Sequence, residues 1–293
     1  MTAAAGFLAL LLVQSFATAP VSMPLAFDLT PQGGIIVPVT VNGVGPLPFL
    51  LDTGSNASVI SEKLAAELAT PIVAKTTLVS AGGRKDALVT RIEHLAMGTV
   101  TATAVLMTLI QPDALAVPDV LASGQHVQGV IGQDVLGTLR YTIDYRQRKI
   151  VWRDETGSVP SGATAFELEP HDNRFLVVLP QDRQVLRLVP DSGAERLVLF
   201  QRANRKQPPV TVADEPVGLT GLTGTRAARR AVVRDLKVGS TTLVDVPAVV
   251  IRRDDSDQAD GLLPLHIFPR VTFSGPERQM FIEESNRSSA PLR

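Results

Sequence analysis

Phe49-Leu50-Leu51-Asp52-Thr53-Gly54-Ser55-Asn56-Ala57-Ser58-Val59-Ile60 has a counterpart at Leu188-Val189-Pro190-Asp191-Ser192-Gly193-Ala194-Glu195-Arg196-Leu197-Val198-Leu199. Both stretches run apolar, Asp, hydroxyl, Gly, small, then apolar again. An Asp-Thr-Gly or Asp-Ser-Gly triplet by itself suits many ordinary turns, so its apolar flanks and the downstream blocks are needed to give it meaning. After the first stretch come Ser80-Ala81-Gly82-Gly83, then Ile92-Glu93-His94-Leu95-Ala96-Met97-Gly98 and an apolar run from Ala104 to Ile110. After the second come Thr220-Gly221-Leu222-Thr223-Gly224, then Val233-Arg234-Asp235-Leu236-Lys237-Val238-Gly239 and Val246 to Ile251. Each half closes alike. Gly129-Val130-Ile131-Gly132-Gln133-Asp134 precedes Tyr141–Asp144 and Lys149–Trp152, while Gly261-Leu262-Leu263-Pro264-Leu265-His266 precedes Val271–Ser274 and Gln279–Ile282. Asp52 to Gly98 is 46 residues against 48 from Asp191 to Gly239, and Asp52 to Gly129 is 77 against 70 from Asp191 to Gly261. Matched blocks in one order at matched spacing identify a duplicated unit.

Short runs of Val, Ile, Leu and Thr between Gly and Pro, such as Ile35–Val41 and Phe175–Leu179, make that unit a β domain. Helical periodicity is confined to Ser61–Leu68, with Ser61 placed to cap and Leu64 and Leu68 on one face, and to a single turn at Val135–Leu139. The polar Gly/Pro/Ser/Thr segment 154–164 reads as the linker between a first lobe at 26–153 and a second at 165–284, with a flexible tail at 285–293. The length of 293 residues suits two cores. With 45% hydrophobic and 19% charged residues, most of the chain is globular rather than disordered. The 28 Lys and Arg balance 29 Asp and Glu, which argues against binding nucleic acid through counterion release. Without cysteine there is no thiol nucleophile, disulfide or Cys-ligated metal. At the N-terminus, Gly6–Val13 is apolar and is followed by Ala17-Thr18-Ala19, so residues 1–19 read as a signal peptide and the protein as exported, periplasmic or secreted. The alternative is an uncleaved anchor, although the apolar run falls short of the roughly 20 residues a spanning helix needs. No other membrane contact is expected.

The paired triplets in their apolar flanks, with the later Val130-Ile131-Gly132 block, resemble the retropepsin-like aspartic peptidases, in the single-chain form with two lobes in one polypeptide. The resemblance covers about residues 26 to 284. It implies an all-β fold of two tandem retropepsin-like β-barrel lobes related by pseudo-two-fold symmetry, with few short helices. It further implies an aspartic endopeptidase with Asp52 and Asp191 as the catalytic dyad, Thr53 and Ser192 locking the two loops together, and Gly54 and Gly193 leaving room at the dyad. Two close carboxylates share one proton over the acidic range, so one serves as base and the other as acid on a water molecule. Ser55 follows the first triplet where Ala194 follows the second, so a hydroxyl is available only to Asp52. A donor favours the charged form, and the shared proton is expected on Asp191. By the same resemblance Ala81, Gly82 and Gly83 in one lobe and Gly221 and Leu222 in the other belong to flaps over the substrate. That substrate is an extended peptide, no cofactor or metal is required, and the chain works as a monomer forming an intramolecular pseudo-dimer.

The second copy departs from the first at Pro190, Pro264 and His266, which stand where the first has Leu51, Gly132 and Asp134. A tilt of the second loop would take Asp191 away from Asp52. The outcome would be a pseudopeptidase that grips peptides without cutting them, or a dyad formed by the first lobes of two chains. Both tyrosines, Tyr141 and Tyr145, follow the Gly129 block, so no flap tyrosine is present. His94, His126, His171 and His266 lack metal-site spacing. Arg226, Arg229 and Arg230 read as a solvated hairpin face, with contact to an acidic substrate as the alternative.

Overall fold

In a computed structural model of the chain, residues 15–18, 23–80, 83–115, 126–153, 162–182, 184–202, 210–253 and 258–283 are described. Most of the N-terminal segment 1–19, most of the linker segment and the whole of the tail segment lie outside them, as do Ala81 and Gly82. The chain is built almost entirely of strands in two sheets, one of nine strands and one of thirteen. Alternation explains the strands locally: along Val100–Ile110, Val100, Ala102, Val105 and Met107 turn inward and Thr101 and Thr103 outward. Ser61 caps the helix Glu62–Glu67, its side chain accepting the Leu64 N–H at 3.1 Å.

The duplication is visible strand by strand. Val44–Leu51 leads into Asp52, and Gly129–Ile131 lies parallel to it with Phe49 opposite Gly129 and Leu51 opposite Ile131. Gly129–Ile131 also runs antiparallel to Val59–Ser61, the strand that leaves the Asp52 turn. In the second lobe Val185–Asp191 lies parallel to Gly261–Pro264, which in turn runs antiparallel to Leu197–Gln201. A central strand thus separates the arms of each Asp turn. The repeated glycine is explained by this close packing: a Cβ on Gly129 would lie 2.3 Å from the Val59 carbonyl oxygen, and one on Gly261 2.0 Å from that of Val198.

The two lobes share a floor. Arg140–Asp144 and Lys149–Trp152, from the first half of the chain, leave the first lobe's sheet and pair beside Arg270–Ser274 and Gln279–Glu283. Ala163–His171 and Leu25–Ala26 complete this six-stranded layer at its two sides. Tyr141 stacks on Phe273 at 5.2 Å and meets Trp152 edge-on at 6.0 Å, all three buried. At the N-terminus, Ser15–Thr18 pairs antiparallel with Val100–Thr103.

Two ion pairs bridge the same layer. Arg270 donates to Asp144 Oδ2 at 2.7 and 3.1 Å, and Arg140 Nε donates to Glu277 Oε2 at 2.8 Å. Burial alone would raise the Asp144 carboxyl, but the Arg270 hydrogen bonds and the Gln147 N–H bring it below its usual value. Arg140 and Ser274 hold Glu277 down to about 2. Both acids bind protons more weakly folded than unfolded. Their stabilisation is therefore complete above the unfolded values, from about pH 5 upward, and is lost as pH falls from there through the folded values. With partly exposed arginines each pair contributes about 1 kcal/mol. The double variant Asp144→Asn, Glu277→Gln should be less stable than wild type at pH 6, with the gap closing towards pH 2 in chemical denaturation. A gap that persists at pH 2 would show that the pairs do not stabilise through charge.

Candidate active site

The two Asp turns meet where the lobes face each other, and their glycines interlock. A Cβ built on Gly54 would stand 2.3 Å from Asp191 Cγ, and one on Gly193 would stand 2.9 Å from Asp52 Cγ. Each carboxylate therefore occupies the space that the opposite glycine leaves open. Gly54 and Ser55 donate their N–H groups to Asp52 Oδ1 at 2.8 and 3.1 Å. Gly193 and Ala194 do the same for Asp191 Oδ1, at 2.8 and 2.9 Å. Pro190 has not displaced the second loop.

Thr53 and Ser192 lie behind the dyad, buried, and exchange four hydrogen bonds between the lobes. Thr53 Oγ1 donates to the Pro190 carbonyl at 2.8 Å and accepts from the Ser192 N–H at 3.0 Å. Ser192 Oγ donates to the Leu51 carbonyl at 2.7 Å and accepts from the Thr53 N–H at 3.0 Å. Neither exchange is possible within one lobe.

Burial raises the pKa of both aspartates, and that of Asp191 rises well above the usual range because the neighbouring Asp52 charge adds to burial. Burial of Asp52 is offset by its hydrogen bond to Asp191, by the Gly54 and Ser55 N–H groups and by the positive charge of Arg174. The hydroxyl expected to favour the charged form of Asp52 does not act on it. Ser55 Oγ donates to the Ala57 carbonyl at 2.8 Å and does not serve Asp52. The backbone donors on the two sides are matched, two N–H groups to each carboxylate.

Behind the first loop, Asp134 accepts from Ser58 N–H at 2.8 Å and Ser58 Oγ at 2.7 Å, while Ser58 Oγ accepts from the Gly132 N–H at 3.0 Å. This brace has no second copy, since Leu197 and His266 take the places of Ser58 and Asp134. His266 instead packs on the first lobe, where a Cβ on Gly33 would lie 2.6 Å from its Cγ. Burial lowers the pKa of His266. In the sequence Asp134 marks only a difference between the copies, and its bracing role does not show there. Arg174 carries no motif at all, and its relation to Asp52 exists only across the lobe boundary.

Both flaps are hairpins. Ile72–Ser80 pairs with Gly83–Met97, and Thr211–Gly221 with Gly224–Val238. Their ends meet: Ser80 Oγ and Thr223 Oγ1 lie 2.7 Å apart, and the Thr223 N–H donates to Ser80 Oγ at 3.1 Å. Gly83, at φ +140°, and Gly221, opposite Gly224, flank the tips. Leu222 reaches across to pack against the first-lobe cluster of Val59, Leu78, Ile110, Leu115 and Val130. Arg226, Arg229 and Arg230 are exposed on the second hairpin, where Arg230 pairs with Glu215 at 3.3 Å and Arg229 donates to Gln201 at 2.8 Å.

Comparison with known proteins matches these two halves separately. A family model described as aspartyl protease fits residues 37–135 and again residues 179–266. No curated protein matches the chain. Among solved structures, conglutin gamma, a basic 7S globulin from lupine seeds, aligns with a TM-score of 0.52 at 11% identity, over 91% of this chain and 96% of that one. At that identity the likeness speaks for the fold alone. Because the two matched regions span more than half of its length, one in each lobe, the chain belongs to the aspartyl protease family in its two-lobed, retropepsin-like form.

Proposed function

We propose that this protein is an aspartic endopeptidase that hydrolyses extended peptides with a water molecule activated between Asp52 and Asp191. The observation that carries the reading is the reciprocal seating of each carboxylate against the other lobe's glycine, in a buried site where the pair favours a single shared proton. In the reactive state Asp52 is ionised and Asp191 protonated. Asp52 takes a proton from the water as its oxygen attacks the scissile carbonyl carbon, and Asp191 hydrogen-bonds the carbonyl oxygen on which negative charge develops. The tetrahedral species collapses when a proton passes to the amide nitrogen, breaking the C–N bond and releasing an amine and a carboxylic acid. No bond to the enzyme forms.

The backbone N–H groups of both turns are committed to the aspartates, so they hold the acids still and leave substrate binding to the cleft walls. The paired flaps favour a substrate lying as an added strand, gripped through its backbone and read through apolar subsites. Both aspartates come from one polypeptide, which supports a chain that acts as a monomer. The N-terminal apolar run favours export to the periplasm or beyond.

Digestion of a diverse peptide library between pH 3 and pH 7, with the new termini identified by mass spectrometry, tests the proposal. Cleavage within peptides is expected, strongest on the acidic side of neutrality. Peptide binding without cleavage at every pH in that range would replace the peptidase with a binding module of the same fold.

A further inference from the structure

Both flap hairpins carry a cation at the same place. Between its turn and Ala87 the first flap reads Arg84-Lys85-Asp86, and between its turn and Ala228 the second reads Thr225-Arg226-Ala227, so only the central position is charged in both copies. Lys85 stands directly opposite Leu78 and Arg226 directly opposite Leu219, each two residues beyond the glycine that closes its turn. Directly paired residues of an antiparallel ladder share a face, and so do alternate residues along one strand. Lys85 therefore shares a face with Leu78 and Ala87, and Arg226 with Leu219 and Ala228.

That face is the one turned towards the Asp turns. Leu78 and Ala87 pack with Leu50, Val59 and Val130, and Leu50, two residues before Asp52, pairs with Val130. In the second lobe Leu219 and Ala228 pack with Val189, Val198 and Leu262, and Val189, two residues before Asp191, pairs with Leu262. Arg84 and Asp86 lie on the opposite face, where Asp86 accepts from Thr77 Oγ1 at 3.2 Å. Lys85 and Arg226 are exposed because they stand nearer the tips than the apolar contacts do. Ser80 and Thr223 join those tips at 2.7 Å, which holds the two cations on either side of one junction. Among the described residues neither cation has a carboxylate partner, whereas Arg230 on the same hairpin as Arg226 is paired with Glu215.

We propose that Lys85 and Arg226 are specificity-determining residues that read acidic side chains of the peptide, one on each side of the scissile bond. The proposal rests on the peptidase reading. A peptide extended between the flaps and the dyad turns its side chains alternately to opposite faces, and the apolar clusters take some of them while the cations take others. The two cations occupy matching positions in duplicated lobes, so the acidic residues they select lie at matching distances on the N-terminal and C-terminal sides of the bond that is cut. A solvent-accessible ion pair of this kind separates Glu from Gln by about fivefold, and by less as salt screens it.

The test compares kcat/KM on a peptide series in which Glu replaces Gln one position at a time, at pH 6, where the Glu side chain is ionised. Wild type should favour Glu by about fivefold at one position on each side of the cut, and the preference should shrink at high salt. Lys85→Glu should reverse the preference on one side only, and Arg226→Glu on the other. Equal rates for Glu and Gln at every position, or a preference that both variants retain, would overturn the proposal and leave the two cations as a solvated hairpin face. If no peptide is cut, the peptidase reading fails, and fluorescence anisotropy of the same labelled peptides on the wild-type chain decides the charge reading separately. Tighter binding of the Glu peptides that both variants lose would uphold it, and equal or absent binding would overturn it.

Discussion

Asp191→Asn should reduce peptide hydrolysis by about 10³-fold or more, and Asp52→Asn should do the same, because each removes one half of a general acid–base pair. The two variants are nearly isosteric with wild type, so the loss should occur in a folded protein. For Asp191 the sign of the stability change is also determined. Burial and the Asp52 charge raise its pKa, so the folded state resists losing its proton and stability declines as pH rises through the folded value. An amide carries no such penalty, and Asp191→Asn should therefore melt at the same temperature as wild type or higher at pH 7. Measuring turnover and melting on the same samples separates catalysis from folding. Cleavage that survives Asp191→Asn and grows with protein concentration would move the dyad to a pairing between two chains.

Gly54→Ala should be nearly as damaging, by a different route. Its Cβ would stand 2.3 Å from Asp191 Cγ and 2.4 Å from Oδ2, about an ångström inside ordinary contact, and it is anchored to backbone. Asp191 or the whole turn must move, and a displacement of that size at a reacting group costs roughly 10²-fold in rate. At Gly193 the corresponding contacts with Asp52 are 2.9 to 3.1 Å, which a shift of a few tenths of an ångström relieves. Gly193→Ala should lose only about tenfold on the same scale. Steady-state turnover of both variants decides the matter. Wild-type activity in Gly54→Ala, or a greater loss in Gly193→Ala, would mean that the carboxylates do not face one another across these glycines during catalysis.

Much of the architecture is legible in the order of residues. Alternation and turn residues predict strands locally, and the order of matched blocks predicts that one β unit is used twice. The capping of the helix by Ser61 depends on a side chain and a backbone N–H three residues apart, and such local relations are readable from sequence. The ambiguous places are those where a residue can serve several partners. Ser55 is placed to donate to Asp52, but its hydroxyl turns to the Ala57 carbonyl two residues on. Pro190 and His266 raise the question of a tilted loop, whereas Asp191 accepts the same pair of backbone donors as Asp52.

The sequence by itself determined that the chain is a duplicated β domain and that each copy carries one acid in a glycine-containing turn. Those features arise from periodicity and local backbone preference, which neighbouring residues settle among themselves. The tertiary structure alone decided what the two acids are to each other. The exchange between Thr53 and Ser192 and the seating of Asp191 against Gly54 join residues more than 100 positions apart. Their energies depend on distance and burial, which no spacing along the chain encodes. Duplication supplied two equivalent carboxylates, and the packing of one lobe against the other seated each against the other's glycine.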